Sequence, residues 1–274
     1  MKRRDFLTAG GAGLAVLATS TTASAQIRER LISRPRPTAS PRQREFVEVR
    51  KYTVKDADKL AQFVEVLDKA LIPALNRQGI NPVGVFVPIE REERYALNVF
   101  VVIPHTTAAS FVNANTKLVA DAVYMKDAAP IFETTSKDPV YTACDTFLLY
   151  NFPTMPVLET HNLGPDRVFE WRLYRSFNIE RNAAKIHMFD KGGELPLFRE
   201  VGLNPIFFGD VVAGNKLPAL MYMIGCPSLE KHAEVWRTFV AHPKWIAMKD
   251  LPEYADTATE IDRVVLVPSP GSQI

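Results

Sequence analysis

A motif that returns after 122 residues constrains this chain more than any other feature. Glu48, Arg50 and Tyr52, within Phe46 to Tyr52, match Glu170, Arg172 and Tyr174, within Val168 to Tyr174. Further on, the stretch from Pro73 to Pro82 lies against that from Pro196 to Pro205, with Gly79, Asn81 and Pro82 matching Gly202, Asn204 and Pro205. Asp138-Pro139-Val140-Tyr141 is then paired with His242-Pro243-Lys244-Trp245. Three matches in one order make the chain two copies of one unit. Two copies describe a tandem pair and not a solenoid, which needs more repeats to bury its core.

Each copy reads β-α-β-β-α-β. In the first, Phe46 to Tyr52 is a strand, and Asp56 caps a helix whose Leu60, Phe63, Val64, Leu67 and Leu71 recur at helical spacing. Pro73 kinks or restarts that helix, and Gly79 suits its end. Strands are expected over Val83 to Ile89, Ala96 to Ile103 and Ala143 to Asn151, with a helix from about Ala108 to Ala128. In the second, a strand over Val168 to Arg175 leads to a helix capped by Asn178 and broken at Gly192-Gly193. Strands near Pro205 to Val212 and Ala219 to Gly225 follow. Ser228 caps Leu229 to Ala241, and Ile261 to Val267 is the last strand. The order is that of the ferredoxin-like split βαβ motif. The fold class is therefore α+β, with tandem ferredoxin-like domains over 46–155 and 166–274.

The Glu-x-Arg-x-Tyr strand, the helix ending in Gly-Ile/Leu-Asn-Pro and the closing run from Val264 to Pro268 together resemble the NIPSNAP family, better in the second copy. That family is similar to the dimeric α/β-barrel superfamily, in which two ferredoxin-like units pair their sheets into one barrel. The resemblance implies that this chain could close such a barrel by itself. It implies no defined activity, although related barrels include cofactor-free monooxygenases, haem peroxidases and isomerases.

Alternation along the repeated strand separates two faces. Phe169, Trp171 and Leu173 share one, and the reading assigns it to the helices. Glu170, Arg172 and Tyr174 share the other, expected to look into the barrel with Glu48, Arg50 and Tyr52. Buried charge is costly unless paired, so these six residues are either register devices or a ligand-binding interior. In the second case an arginine holds an anionic or carbonyl oxygen and a tyrosine donates to it. His187 is the candidate base, and the axial ligand a haem would need. His232 and Trp236, four apart on a helix, are read as packing, and His105 as a loop residue. No cofactor is called for. No His, Cys, Asp or Glu spacing suggests a metal, and no phosphate loop or nucleophile elbow is present. The function expected is small-molecule binding or interaction, with a barrel oxidoreductase or isomerase, or a purely structural pair, as alternatives. Homo-oligomers remain open.

The N-terminus carries a separate message. Lys2-Arg3-Arg4-Asp5-Phe6-Leu7, a short Gly/Ala-rich apolar run and Ala23-Ser24-Ala25 resemble a twin-arginine export signal cleaved after Ala25. The expected destination is the periplasm or beyond it. Residues 26–45 hold six arginines against Glu29 and Glu45 and few apolar groups, so they read as a solvated linker. The chain's formal charge is +2; the signal carries +2 and the linker +4, so the remaining body carries a net −4, which argues against a nucleic-acid partner. After the signal no segment has the ~20 apolar residues of a membrane span. Cys144 and Cys226 could pair after export or stay as buried thiols. Export by this signal predicts that protein recovered from envelope fractions starts at Gln26 by mass. Changing Arg3 and Arg4 together to Lys should leave the full-length chain in the cytoplasm.

Overall fold

The computed structural model describes residues 43–274. The export signal and most of the linker lie outside the described residues. The linker's last residues are held, not solvated. Arg44 stacks on Tyr150, 3.7 Å from the ring centre, and Glu45 accepts from the Leu158 amide at 3.0 Å.

The first copy contributes strands β1 (Phe46–Val54), β2 (Gly84–Pro88), β3 (Asn98–His105) and β4 (Tyr141–Asn151). The second contributes β5 (Val168–Arg175), β6 (Asn204–Ala213), β7 (Ala219–Cys226) and β8 (Glu260–Pro268). They close into one antiparallel barrel in the order β1-β3-β2-β8-β5-β7-β6-β4. Two seams join the copies. Across one, Val87 pairs with Val267, and across the other Asn151 pairs with Gly209. The dimeric α/β-barrel fold is thus completed within one chain.

Helices coat the outside. In the first half these are α1 (Ala57–Val66), α2 (Ile72–Arg77), α3 (Ala108–Ala120), α4 (Ala122–Asp127) and α5 (Ala129–Phe132). A π-helical turn over Leu67–Leu71 precedes α2, with Pro73 in its first turn. In the second half they are α6 (Ile179–Asp190), α7 (Glu194–Val201), α8 (Leu229–Ala241) and α9 (Pro243–Lys249). Local signals account for most boundaries. Asp56, Asn178 and Ser228 each accept from the amide three residues on. Gly193, at φ 107°, separates α6 from α7. The single helix expected over Ala108 to Ala128 is cut by Asp121, whose carboxylate caps α4 through the amides of Val123 and Tyr124. His242 caps α9 the same way. The counterpart of His242 is therefore Asp121, and the sequence pairing with Asp138 is corrected: Asp138 precedes a strand. No helix among the described residues is long and apolar enough to cross a membrane.

The two faces of the strands are the reverse of the expected assignment. Val47, Val49, Phe169, Trp171 and Leu173 fill the barrel, together with Phe100, Phe207, Met221 and Leu266 from other strands. The buried indole N–H of Trp171 has no acceptor among the described residues. Glu48, Arg50, Tyr52, Glu170, Arg172 and Tyr174 point outward, beneath the helices. The reason is geometric. An eight-stranded barrel is narrow enough for its own side chains to fill, as they do here, and polar groups there would lack helix partners. Of the thiols, Cys226 is buried and Cys144 exposed, and both are free.

Gly209 lies on the seam, and an added Cβ would come 2.8 Å from Leu149 Cβ. Gly209→Ala should lower stability by about 1–3 kcal/mol. Because both halves share the seam, denaturant unfolding followed by fluorescence and by circular dichroism should shift as one transition. Separate transitions for the halves would contradict a shared barrel.

Candidate functional site

The outward face of β5 meets α8 through one carboxylate. Glu170 Oε1 accepts from Arg172 Nε at 2.8 Å, and its Oε2 lies 2.8 Å from His232 Nε2 and accepts from Trp236 Nε1 at 2.6 Å. Burial pushes this carboxyl up. The His232 hydrogen bond and the Arg172 charge outweigh it and hold Glu170 below its ordinary value. An ionised acceptor places the His232 proton on Nε2. The Arg172 guanidinium stacks on Trp236 at 4.0 Å and donates to the Tyr174 hydroxyl at 3.0 Å. That hydroxyl stands 3.4 Å from the fully buried Tyr222 hydroxyl, whose titration burial drives well above the usual range. The sequence reading gave His232 and Trp236 to packing. Their four-residue spacing was legible, but the carboxylate they grip lies 62 residues away from the nearer of them.

These groups floor a cleft of about 610 Å³ between the sheet and the second half's helices. Trp236, Phe239 and Trp245 form an aromatic wall. Two charged residues that sequence reasoning missed stand opposite. Lys185 of α6 lies 4.7 Å from the Phe189 ring centre and 5.3 Å from that of Tyr174. Its Nζ is 3.7 Å from Glu194 Oε2, beyond hydrogen-bond distance, and that buried oxygen has no hydrogen-bond partner. Complete burial pushes Glu194 up to about 7, against the pull of Lys185 and Arg172. The signal for Lys185 was present: it shares a helical face with Asn182 and Phe189, the buried face of α6. Glu194 reads in sequence as an ordinary first-turn acid, and only the fold buries it.

The first half keeps the motif and changes the partners. Glu48 accepts from Arg50 Nε at 2.5 Å, and its other oxygen lies 3.0 Å from His105 Nε2. His105 is the last residue of β3 and not a loop residue, and its Nδ1 is 3.0 Å from the Ser110 hydroxyl. Burial raises Glu48, but His105 and Arg50 together hold it low. Arg50 donates to Asn115 of α3 at 3.0 Å. In the repeat, Asn115 takes the place of Trp236 and Phe111 that of His232. The two ladders thus never face each other across the interior; each serves its own half's helices.

His187 is not part of the site. It is exposed on α6, with Nδ1 3.0 Å from the Tyr254 hydroxyl, and it does not line the cleft. Its assignment as base or axial ligand is withdrawn on that placement. Among the described residues no group of three His, Cys, Asp or Glu side chains could hold a metal ion.

No family model and no curated protein matches the sequence. Solved structures do. A protein from Lactobacillus acidophilus provisionally named a monooxygenase aligns over 82% of this chain and 94% of its own, at 10% identity and a TM-score of 0.55. An anthrone oxidase-like protein aligns over 84% and 94%, at 11% identity and a TM-score of 0.52. A NIPSNAP family protein from Agrobacterium tumefaciens is 20% identical over 39% of this chain and 98% of its own, with a TM-score of 0.35. The first two share the whole architecture: the protein has the dimeric α/β-barrel fold, with both ferredoxin-like halves in a single chain.

Proposed function

We propose that this is an exported small-molecule-binding protein whose ligand, flat and largely aromatic, lies in the cleft between β5 and α8. One observation carries the reading: a cavity of about 610 Å³ whose aromatic wall faces a buried, fully partnered Glu170–Arg172–His232 cluster. Apolar walls with a few convergent polar groups are the general form of a small-molecule site. The cleft holds Arg91, Arg172, Lys185 and Arg263 against Glu170 and Glu194, so it favours an electron-rich ligand. Trp236 supplies the stacking surface.

A native mass spectrum of the protein purified from its own host's envelope should show excess mass that is lost on denaturation. Trp236→Ala should remove that mass while the circular dichroism spectrum stays that of the folded chain. A bare mass from the wild type would count against the reading.

A second reading, a barrel oxidoreductase or isomerase, is favoured by Glu194. A buried carboxyl that titrates near 7 can take a proton from an enol or phenol at neutral pH. The neighbours named as a monooxygenase and as anthrone oxidase-like fit this reading by fold alone. The titration has a signature in stability. Glu194 keeps its proton in the folded chain up to about pH 7, whereas it loses it near 4.5 when unfolded. Its contribution is present in full below pH 4.5 and lost as pH rises through 7. Glu194→Gln cannot ionise. From pH 5 to 8 the wild type should therefore lose stability relative to the variant, by up to about 3 kcal/mol. Denaturant midpoints at the two pH values measure the difference, and parallel pH profiles would remove Glu194 as a proton acceptor.

A further inference from the structure

Strand register sets two arginines side by side. Arg172 of β5 and Arg263 of β8 are direct cross-strand partners, both on the face beneath the helices. Like charges so placed repel, which costs stability unless something compensates. Arg172 is compensated by Glu170 at 2.8 Å. Nearby, Arg175 and Arg94 both pair with Asp262, at 2.7 and 3.2 Å. Among the described residues Arg263 has no such partner, and neither has Arg91.

Arg91 belongs to the other half of the molecule. It sits in the loop between β2 and β3, and that loop is latched to β8 on either side of it. The Ile89 amide donates to the Val265 carbonyl at 3.0 Å, and the Val265 amide donates to the Glu92 carboxylate at 3.3 Å. The latch commits one Glu92 oxygen to the backbone, and Arg91 lines the cleft. Arg91 and Arg263 line both the large cleft and a smaller cavity of about 320 Å³, and the two cavities also share Glu170 and His232. Two unpaired guanidiniums therefore stand where these cavities meet, beside a carboxylate already held by three donors.

We propose that Arg91 and Arg263 clamp an anionic substituent of the ligand, so that the cleft selects a flat aromatic molecule bearing a carboxylate, sulfonate or phosphate group. The clamp rests on the cleft being the binding site. It adds that the first half completes the second half's site. Arginine suits the task because its planar fork meets such oxygens two at a time.

Two dyes with one ring system test this. 8-Anilinonaphthalene-1-sulfonate carries the anion, and N-phenyl-1-naphthylamine is the same body without it. Fluorescence titration of the mature chain should show the sulfonate binding about tenfold more tightly than the neutral dye. Arg91→Gln and Arg263→Gln should each weaken the sulfonate several-fold and leave the neutral dye unchanged. Added salt should act in the same selective way. Trp236→Ala should weaken both dyes. If both dyes bind equally, depend on Trp236 and ignore the arginine changes, the clamp is wrong and the cleft stands. If neither binds, or Trp236→Ala changes nothing, the cleft reading fails and the clamp with it.

Discussion

Closure of the sheet inside one chain is the constraint from which the rest follows. Strands β2 and β8, and β4 and β6, meet as antiparallel pairs, and the barrel they complete has no free edge to cover. This ring of eight strands is filled by the side chains that point inward. That set is apolar and large: Phe100, Trp171, Phe207 and Met221 meet there from both halves. The charged pairs Glu48–Arg50 and Glu170–Arg172 are thereby sent outward, to the layer where helices supply hydrogen bonds.

That layer then depends on how each carboxylate is satisfied. Glu170 is buried and charged, and three donors from β5 and α8 hold it. Removing Arg172 would leave that buried carboxylate without its paired charge, at about 3–5 kcal/mol. The same contacts fix the distance of α8 from the sheet and turn Trp236 edge-on to its carboxylate and face-on to Arg172. In the first half Glu48 finds its histidine on the neighbouring strand, at the end of β3, and α3 supplies Ser110 to that histidine and Asn115 to Arg50. One motif thus supports two packings, and the second leaves its guanidinium beside an open cleft.

Local chemistry was readable from the residues. The caps at Asp56, Asn178 and Ser228, the break at Gly193 and the strand over Val168–Arg175 all depend on neighbours in sequence, and all were legible. The repeat made the ferredoxin-like units legible too. Which face of β5 looked inward was not, because period-two alternation separates two faces without ranking them when helices bury one and a barrel the other. Arg172 and Tyr174 were therefore aimed wrongly: they line the outer cleft and not the interior. His232, Lys185 and Glu194 were missed because their meaning comes from partners 62, 9 and 9 residues away, brought together by helix placement. His187 drew attention as a histidine on a helix, and α6 turns it to solvent.

Fusing the two halves removes a restriction that binds every symmetric dimer. In a two-fold assembly of identical chains, any substitution appears twice, and both sites must tolerate it. Here the loop that carries Arg91 and the strand that carries Arg263 answer to separate codons, as do Asn115 and Trp236. One half is then free to accumulate changes that favour rigidity while the other accumulates changes that favour recognition. The first half's Glu48–His105–Ser110 chain and the second half's open aromatic wall differ in the way such freedom allows.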